Sequence, residues 1–123
     1  MIICSGDQIS YLTSPHILIA TGSKPNYLGI EGEEHVLTSD SFFFLSSLPK
    51  KLLILGGGYI ACELAHISSL LGSEVSIKVR SGILSSFDHD ISTWAKQNLE
   101  LDKIKVLDHT AHISKFIKVN NQI

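Results

Sequence analysis

The sequence predicts an α/β fold, a parallel sheet flanked by helices, and three features carry this prediction. Leu52–Leu55 is a short apolar run of the kind found in strands buried on both faces of a parallel sheet. Three glycines follow it, and residues 59–71 then carry apolar side chains at helical spacing. A second strand is predicted over 74–79. Strand, helix and strand in this order predict a βαβ unit, whose two strands are parallel neighbours.

The predicted helix has two distinct faces and a defined end. An apolar stripe and a face of small residues lie side by side, the first with Ile60, Leu64, Ile67 and Leu71 and the second with Ala61, Ala65 and Ser68. Gly72 follows the last periodic residue, and glycine readily adopts the left-handed conformation that ends a helix.

The turn before this helix has the pattern G-x-G-x-x-A, formed by Gly56, Gly58 and Ala61. Gly56 suits a tight turn, Gly58 lets a pyrophosphate approach the main chain, and Ala61 lets the helix pack close to the strand. Free N–H groups of the first helical turn would then face the anion. The pattern predicts a Rossmann-like dinucleotide site. The alternative is a glycine turn in an α/β domain that binds no ligand.

Composition narrows the classes of function. The chain has 123 residues, 44% hydrophobic residues and a net charge of −2, which favours one compact domain and neither nucleic acid nor an anionic membrane as a partner. No apolar run has the length of a membrane-spanning helix, and no signal peptide is visible. Cys4 and Cys62 form no metal or CxxC spacing, so we expect a reducing, cytoplasmic setting and a packing role for Cys62.

The segment before the βαβ unit is predicted to begin with strands. Met1–Cys4 and Ile9–Leu12 flank turn residues, which indicates a β-hairpin. His16–Ala20 is a further apolar run and is predicted to be a strand that ends at Thr21 and Gly22. A short helix over 41–48 is then predicted, with its cap within Thr38-Ser39-Asp40. At least one of three consecutive phenylalanines, Phe42, Phe43 and Phe44, is expected to pack outside this segment.

The segment after the βαβ unit is predicted to contain a helix and two extended stretches. The helix is capped by Asp88 or Asp90 and covers about 89–100, with a buried stripe of Ile91, Trp94, Ala95 and Leu99. A strand is predicted over 104–107, an antiparallel segment from Ala111 to Val119, and a hairpin turn at Asn120-Asn121.

Several of these stretches, in this order, resemble a known family. They are Ile17–Pro25, Thr38-Ser39-Asp40, Gly56-x-Gly58-Tyr59-Ile60-Ala61-x-Glu63 and Ser86-Phe87-Asp88. Together they resemble the middle of an FAD-dependent pyridine nucleotide–disulfide oxidoreductase of the glutathione reductase branch. The resemblance implies that residues 1–30 end the first FAD-domain segment, 31–49 form a connecting loop and short helix, and 50–123 form a truncated NAD(P)H-binding domain.

The resemblance also implies roles for individual residues. Thr21 and Gly22 resemble the family's second flavin-contact motif. Tyr59 resembles the tyrosine that lies over the flavin, and Glu63 the glutamate near the nicotinamide. The expected NADPH contacts in the turn and helix are Gly56, Gly57, Gly58, Tyr59, Ile60, Ala61 and Glu63.

The sequence also departs from the family pattern. The first dinucleotide fingerprint, the redox-active CxxxxC pair and the interface domain with its catalytic histidine are not found in it. We therefore expect a fragment of about a quarter of such an enzyme, inactive alone, with no catalytic residue or metal ligand of its own. Its partners would be the remaining FAD and interface domains, and the full-length family enzyme is a homodimer.

The choice of nicotinamide cofactor is predicted from the end of the second strand. An NAD site places an acidic residue there, whereas this chain has Val79-Arg80-Ser81. Arg80 is the only arginine in the chain, and a guanidinium suits a 2′-phosphate. Ser81 and Ser85 could add hydroxyl contacts. The alternative for Arg80 is a solvated residue at a strand end, and the second basic residue usual in the glutathione reductase pattern is missing.

Three functions remain open from the sequence. The first is the NADPH-binding part of a flavoprotein disulfide reductase that passes hydride to FAD and electrons to a disulfide such as glutathione. The second is the same architecture in an NAD-linked dihydrolipoamide dehydrogenase or a metal-ion reductase, which Arg80 disfavours. The third is a non-catalytic nucleotide-binding or interaction module.

Overall fold

The computed structural model describes residues 2–108 and 112–119, and for residues 2–5 it describes the backbone alone. It shows the predicted α/β fold. A three-stranded parallel sheet with crossover helices forms the centre, and a separate two-stranded hairpin precedes it. The hairpin pairs β1 (Ile2–Ser5) with β2 (Gln8–Tyr11) in antiparallel register across a turn at Gly6. The predicted hairpin is therefore confirmed.

The parallel sheet follows the predicted βαβ order. Its elements are β3 (Lys51–Leu55), α2 (Tyr59–Leu70), β4 (Glu74–Lys78), α3 (His89–Leu101) and β5 (Lys105–Leu107). The strand order is β3-β4-β5 and both pairings are parallel. Each bound lies within two residues of its prediction, because glycines, caps and apolar periodicity mark the ends of these elements.

The hydrophobic core lies between the sheet and one layer of helices. Its fully buried large side chains are Ile77, Leu99, Ile104, Val75 and Val79. α2 contacts β3, β4 and α3, while α3 contacts β5, so both helices cover the same face of the sheet. The prediction that the β3 run is buried on both faces is wrong for Leu53, which is exposed. Leu53 lies on the face that carries neither helix.

The face of small residues in α2 is the one that packs on the sheet. Ala61, Ala65 and Ser68 are buried, whereas Leu64 is the one buried member of the apolar stripe. Ile67 is exposed. Small side chains let the helix backbone approach the strands closely, and this decides which face turns inward. Gly72, at φ 98°, ends the helix as predicted.

The predicted buried stripe of α3 is only partly correct. Leu99 is fully buried and Ala95 packs against the core, but Ile91 and Trp94 are exposed. The side of α3 that faces the core carries Ser92, Ala95 and Leu99, which are spaced three and four residues apart. Trp94 lies five residues before Leu99 and therefore on the other side of the helix.

Two predictions for the N-terminal third are wrong. His16–Ala20 is not a strand, and Leu18 is 90% exposed, since no described strand lies beside it to accept its backbone hydrogen bonds. The short helix is α1 (Ser39–Phe42) rather than 41–48. Thr38 caps it as predicted, but α1 buries no side chain, so nothing stabilises a longer helix. Phe43 and Phe44 are exposed.

The segment 112–119 pairs with the stretch of chain that precedes α1. Glu31 and Lys115 form an isolated parallel bridge, and the N–H of Phe116 donates to the Glu31 carbonyl at 2.8 Å. The predicted antiparallel pairing is therefore wrong at this bridge. Its start at Ala111 and the predicted turn at Asn120-Asn121 lie outside the described residues.

Candidate nucleotide-binding site

The glycine turn lies where β3 leaves the sheet. Gly56 has φ 124°, a conformation that only glycine adopts readily. Its N–H donates to the Lys78 carbonyl at the end of β4, at 2.9 Å. The chain thus turns at the carboxyl edge of the parallel sheet, the edge at which ligands bind in open α/β folds.

The first turn of α2 leaves backbone donors free for an anion. Gly58 is the N-cap, no side chain caps the helix, and its first turn contains no acidic residue. A Cβ at Gly58 would meet no atom within 4 Å, so there is open space beside the main chain. Unpaired N–H groups and the positive end of the helix dipole favour a phosphate group here. The residues present therefore fit a dinucleotide pyrophosphate.

Gly57 faces the loop that follows β4. A Cβ at Gly57 would overlap the Gly82 carbonyl oxygen and touch Val79, so only glycine permits this close approach. The Gly57 carbonyl accepts a hydrogen bond from the Leu84 N–H at 2.6 Å. The loop is therefore seated directly on the glycine turn.

The loop over residues 80–87, termed here the β4–α3 loop, is also fixed at its far end. Gly82 has φ 108° and Leu84 has φ 48°. The Leu84 carbonyl accepts hydrogen bonds from the Phe87 N–H and the Ser92 hydroxyl, both at 2.8 Å. Asp88 then caps α3 through the Asp90 N–H. The backbone of the loop is held between the glycine turn and α3.

Arg80, Ser81 and Ser85 project from this loop. All three are exposed, and none has a hydrogen bond or ion pair with another described residue. The fold thus brings together the two groups of residues predicted to hold NADPH, those of the glycine turn and those of the β4–α3 loop. A guanidinium with no internal partner is available to a phosphate group.

The start of α2 presents further predicted contacts. Tyr59 is 59% exposed, and Ile60 and Glu63 are also exposed. Ala61 and Cys62 point into the core. Burial raises the pKa of the Cys62 thiol, which keeps the thiol protonated and agrees with a packing role.

The predicted flavin contacts are not joined to this site. Thr21 and Gly22 lie in an exposed, extended segment and form no hydrogen bond with another described residue. Within 2–108 and 112–119, no group of His, Cys, Asp and Glu could hold a metal ion. No helix in the same ranges is long and apolar enough to cross a membrane.

Sequence analysis missed the residues that hold the β4–α3 loop. Gly82, Leu84 and Ser92 carry no motif, and the approach of Gly82 to Gly57 is a contact between distant parts of the sequence. The one available signal is Gly82, which stands three residues after the buried Val79. It predicts a left-handed turn but not what the turn contacts.

Comparison with known proteins defines the class. The family pattern described as pyridine nucleotide-disulphide oxidoreductase matches residues 5–122. The fold and the glycine turn define a domain of the nucleotide-binding α/β type. The chain belongs to the pyridine nucleotide-disulphide oxidoreductase family.

Solved structures share this fold at low identity. A water-forming NADH oxidase from Lactobacillus brevis bound to NADH has a TM-score of 0.64 at 14% identity, over 94% of this chain and 28% of that chain. An engineered water-forming NADPH oxidase bound to NADPH has 0.63 at 16% identity, with the same coverage. A 2-naphthoyl-CoA reductase in complex with 2-naphthoyl-CoA has 0.63 at 23% identity, over 75% of this chain and 14% of that chain. The chain therefore spans between 14% and 28% of the length of these proteins.

Proposed function

We propose that this chain is the NADPH-binding part of a flavoprotein disulfide reductase related to glutathione reductase. The observation that carries the proposal is the position of Arg80, exposed and unpartnered on a loop that is seated on the glycine turn. In this proposal, residues 1–30 belong to an FAD domain, 31–49 connect, and 50–123 bind the nicotinamide nucleotide. FAD, the interface domain, a homodimer and a cytoplasmic location belong to the full-length enzyme.

The roles of the chain's own residues follow from their positions. The N–H groups of the first turn of α2 would bind the pyrophosphate of either nicotinamide cofactor. Arg80, with Ser81 and Ser85, would bind the 2′-phosphate. Tyr59 and Glu63 would border the nicotinamide. When bound, NADPH supplies a hydride for FAD, from which electrons pass to a disulfide.

A comparison between two of the solved structures supports the preference for NADPH. The engineered NADPH oxidase differs from the NADH oxidase by Gly→Ala, Asp→Ala, Ala→Arg, Met→Ser and Pro→Arg substitutions. The second, third and fourth positions are consecutive, and the first lies 18 residues before the second. If the Gly→Ala position is matched to Ala61, the last residue of the glycine pattern, the other three fall, counted without gaps, at Val79, Arg80 and Ser81. At three of these four positions this chain has the same residue as the engineered enzyme. At the remaining position, Val79 lacks the carboxylate of the aspartate that was replaced.

The fifth position supports a second candidate. The engineered Pro→Arg position lies seven residues after the Asp→Ala position, which corresponds here to Ser86. This chain thus lacks the second guanidinium. A weaker preference for NADPH would suit an NAD-linked dihydrolipoamide dehydrogenase or a metal-ion reductase of the family. A nucleotide-binding module without catalysis is the candidate of another class, and it predicts binding with no reduction of flavin in any assembly.

Calorimetric titration with NADPH and NADH tests the proposal. A charge-assisted pair contributes about 1.5–3 kcal/mol, or roughly a ten- to hundredfold preference. With one guanidinium, we expect the lower half of that range. Arg80→Ala should lower the affinity for NADPH by this factor and leave the affinity for NADH almost unchanged. Lys50→Ala is the matched control, because it also removes one exposed positive charge but lies before β3, at the opposite edge of the sheet.

The outcome separates three interpretations. A loss confined to NADPH supports the assignment of Arg80. An equal loss for both cofactors would mean that Arg80 holds the fold or the pyrophosphate, and the proposed specificity would be wrong. Binding of neither cofactor by the wild-type chain would contradict the nucleotide-binding function itself.

A further inference from the structure

The position of Leu84 depends on contacts from both sides of the β4–α3 loop. Its N–H donates to the Gly57 carbonyl at 2.6 Å, and its carbonyl accepts from the Ser92 hydroxyl at 2.8 Å. Leu84 has φ 48°, a left-handed conformation that is unfavourable for leucine. Surrounding contacts must therefore hold it in place.

Two loop side chains give part of this support, since Ile83 is buried in the hydrophobic core and Leu84 packs against it. Arg80, Ser81 and Ser85 are exposed and have no described partner. Their location in the absence of a nucleotide therefore depends on how the rest of the loop is held. Besides the core contacts, the loop is held at Leu84 by hydrogen bonds to the Gly57 carbonyl, in the glycine turn, and from the Ser92 hydroxyl, in the first half of α3.

We propose that Ser92 is a positioning residue for recognition of the 2′-phosphate. This inference rests on the proposed function of the site. The Ser92 hydroxyl holds Leu84, so the loop presents Arg80 at a fixed distance from the glycine turn. Because Ser92 contacts the loop and not the turn, it affects the 2′-phosphate contacts and leaves the pyrophosphate contacts in place.

The tests are Ser92→Ala and its neighbour Thr93→Ala as the matched control. Both substitutions remove a hydroxyl from the same turn of α3, but Thr93 is exposed and forms no described hydrogen bond. In Ser92→Ala the Leu84 carbonyl keeps its bond from the Phe87 N–H, so the chain should still fold. Ser92→Thr retains a hydroxyl and should restore binding.

We expect NADPH affinity of Ser92→Ala to fall about three- to tenfold, which corresponds to ~0.7–1.4 kcal/mol. This is the range of one net hydrogen bond. NADH affinity should change less than twofold, and Thr93→Ala should match wild type for both cofactors. Hydrogen exchange without nucleotide adds an independent measurement. The amides of residues 80–87 should exchange faster in Ser92→Ala alone.

The results distinguish this inference from the proposed function. If Arg80→Ala loses NADPH affinity while Ser92→Ala keeps wild-type selectivity, the positioning role is wrong and the proposed function stands. Equal loss for NADPH and NADH, or unchanged exchange in the loop, would also overturn it. If wild type shows no preference between the cofactors, the proposed specificity fails and the positioning role fails with it.

Discussion

Ser68 and Ser69 are adjacent in α2 and differ in whether their hydroxyl groups are satisfied. Ser68 is 0% exposed, and its Oγ has no hydrogen-bond partner among the described residues. The Ser69 hydroxyl donates to the Asp102 carbonyl at 3.0 Å. We predict that Ser68→Ala stabilises the chain, whereas Ser69→Ala does not.

The magnitude follows from two contributions. An unsatisfied buried polar group costs about 1–3 kcal/mol, and replacing serine by alanine in a helix gains roughly 0.5 kcal/mol. Allowing for the small void left by one oxygen, Ser68→Ala should raise the free energy of unfolding by about 1–2 kcal/mol. Ser69→Ala has the same helix gain but loses a hydrogen bond of about 0.5–1.5 kcal/mol. Its net effect should be between zero and about −1 kcal/mol.

Urea unfolding and thermal unfolding, both followed by far-ultraviolet circular dichroism, measure both variants. Each kcal/mol should move the melting temperature by about 3–6 °C in a chain of this size. Because the two substitutions are chemically identical and adjacent in one helix, effects on helix propensity cancel in the comparison. A Ser68→Ala variant as destabilised as Ser69→Ala would refute the reasoning, since it would mean that the Ser68 hydroxyl is paired in solution.

Three further predictions concern the site, the charges and the C-terminal contact. Ser86→Arg should strengthen NADPH binding about two- to fivefold, the effect expected of one exposed charge pair, while NADH binding stays constant in parallel titrations. The hydrogen bond from Lys105 lowers the pKa of the Glu74 carboxyl. The stability that this interaction contributes is therefore fully present above the pKa that Glu74 has in the unfolded chain. It is lost as the pH falls through the lower pKa that Glu74 has in the folded chain. Glu74→Gln should therefore flatten the acid limb of stability against pH, and this difference should shrink at high salt. Gly32 has φ 83° and a Cβ there would overlap the Phe116 carbonyl, so Gly32→Ala should speed amide exchange at Phe116 without slowing or hastening exchange in β4.

The β3–α2–β4 unit could be predicted because its signals are local. Gly56, Gly58 and Gly72 mark the turn and the helix end, and the bounds of the elements follow from them. The nucleotide contacts of Gly56–Ala61 stay predictions, as do those of Arg80.

The errors arise where a local pattern depends on a distant partner. His16–Ala20 has a strand pattern but no described neighbour, and a strand needs a second strand to pair its backbone. Which side of α3 faces the core depends on packing against the sheet: Leu99 is buried, whereas Trp94, five residues before it, lies on the other side of the helix and is exposed. The close approach of Gly82 to Gly57 is a contact between two loops that are distant in the sequence. Sequence periodicity contains none of this information.

The order of strands in the sheet has a consequence for how the chain folds. Each strand pairs with the strand next to it along the sequence, so the sheet closes only short stretches of chain. The bridge between Glu31 and Lys115 instead joins residues that are far apart in the sequence, and closing a longer loop costs more entropy. Topologies built from near-neighbour contacts also form fastest. During refolding, we therefore expect the amides of β3, β4 and β5 to become protected before the amide of Phe116.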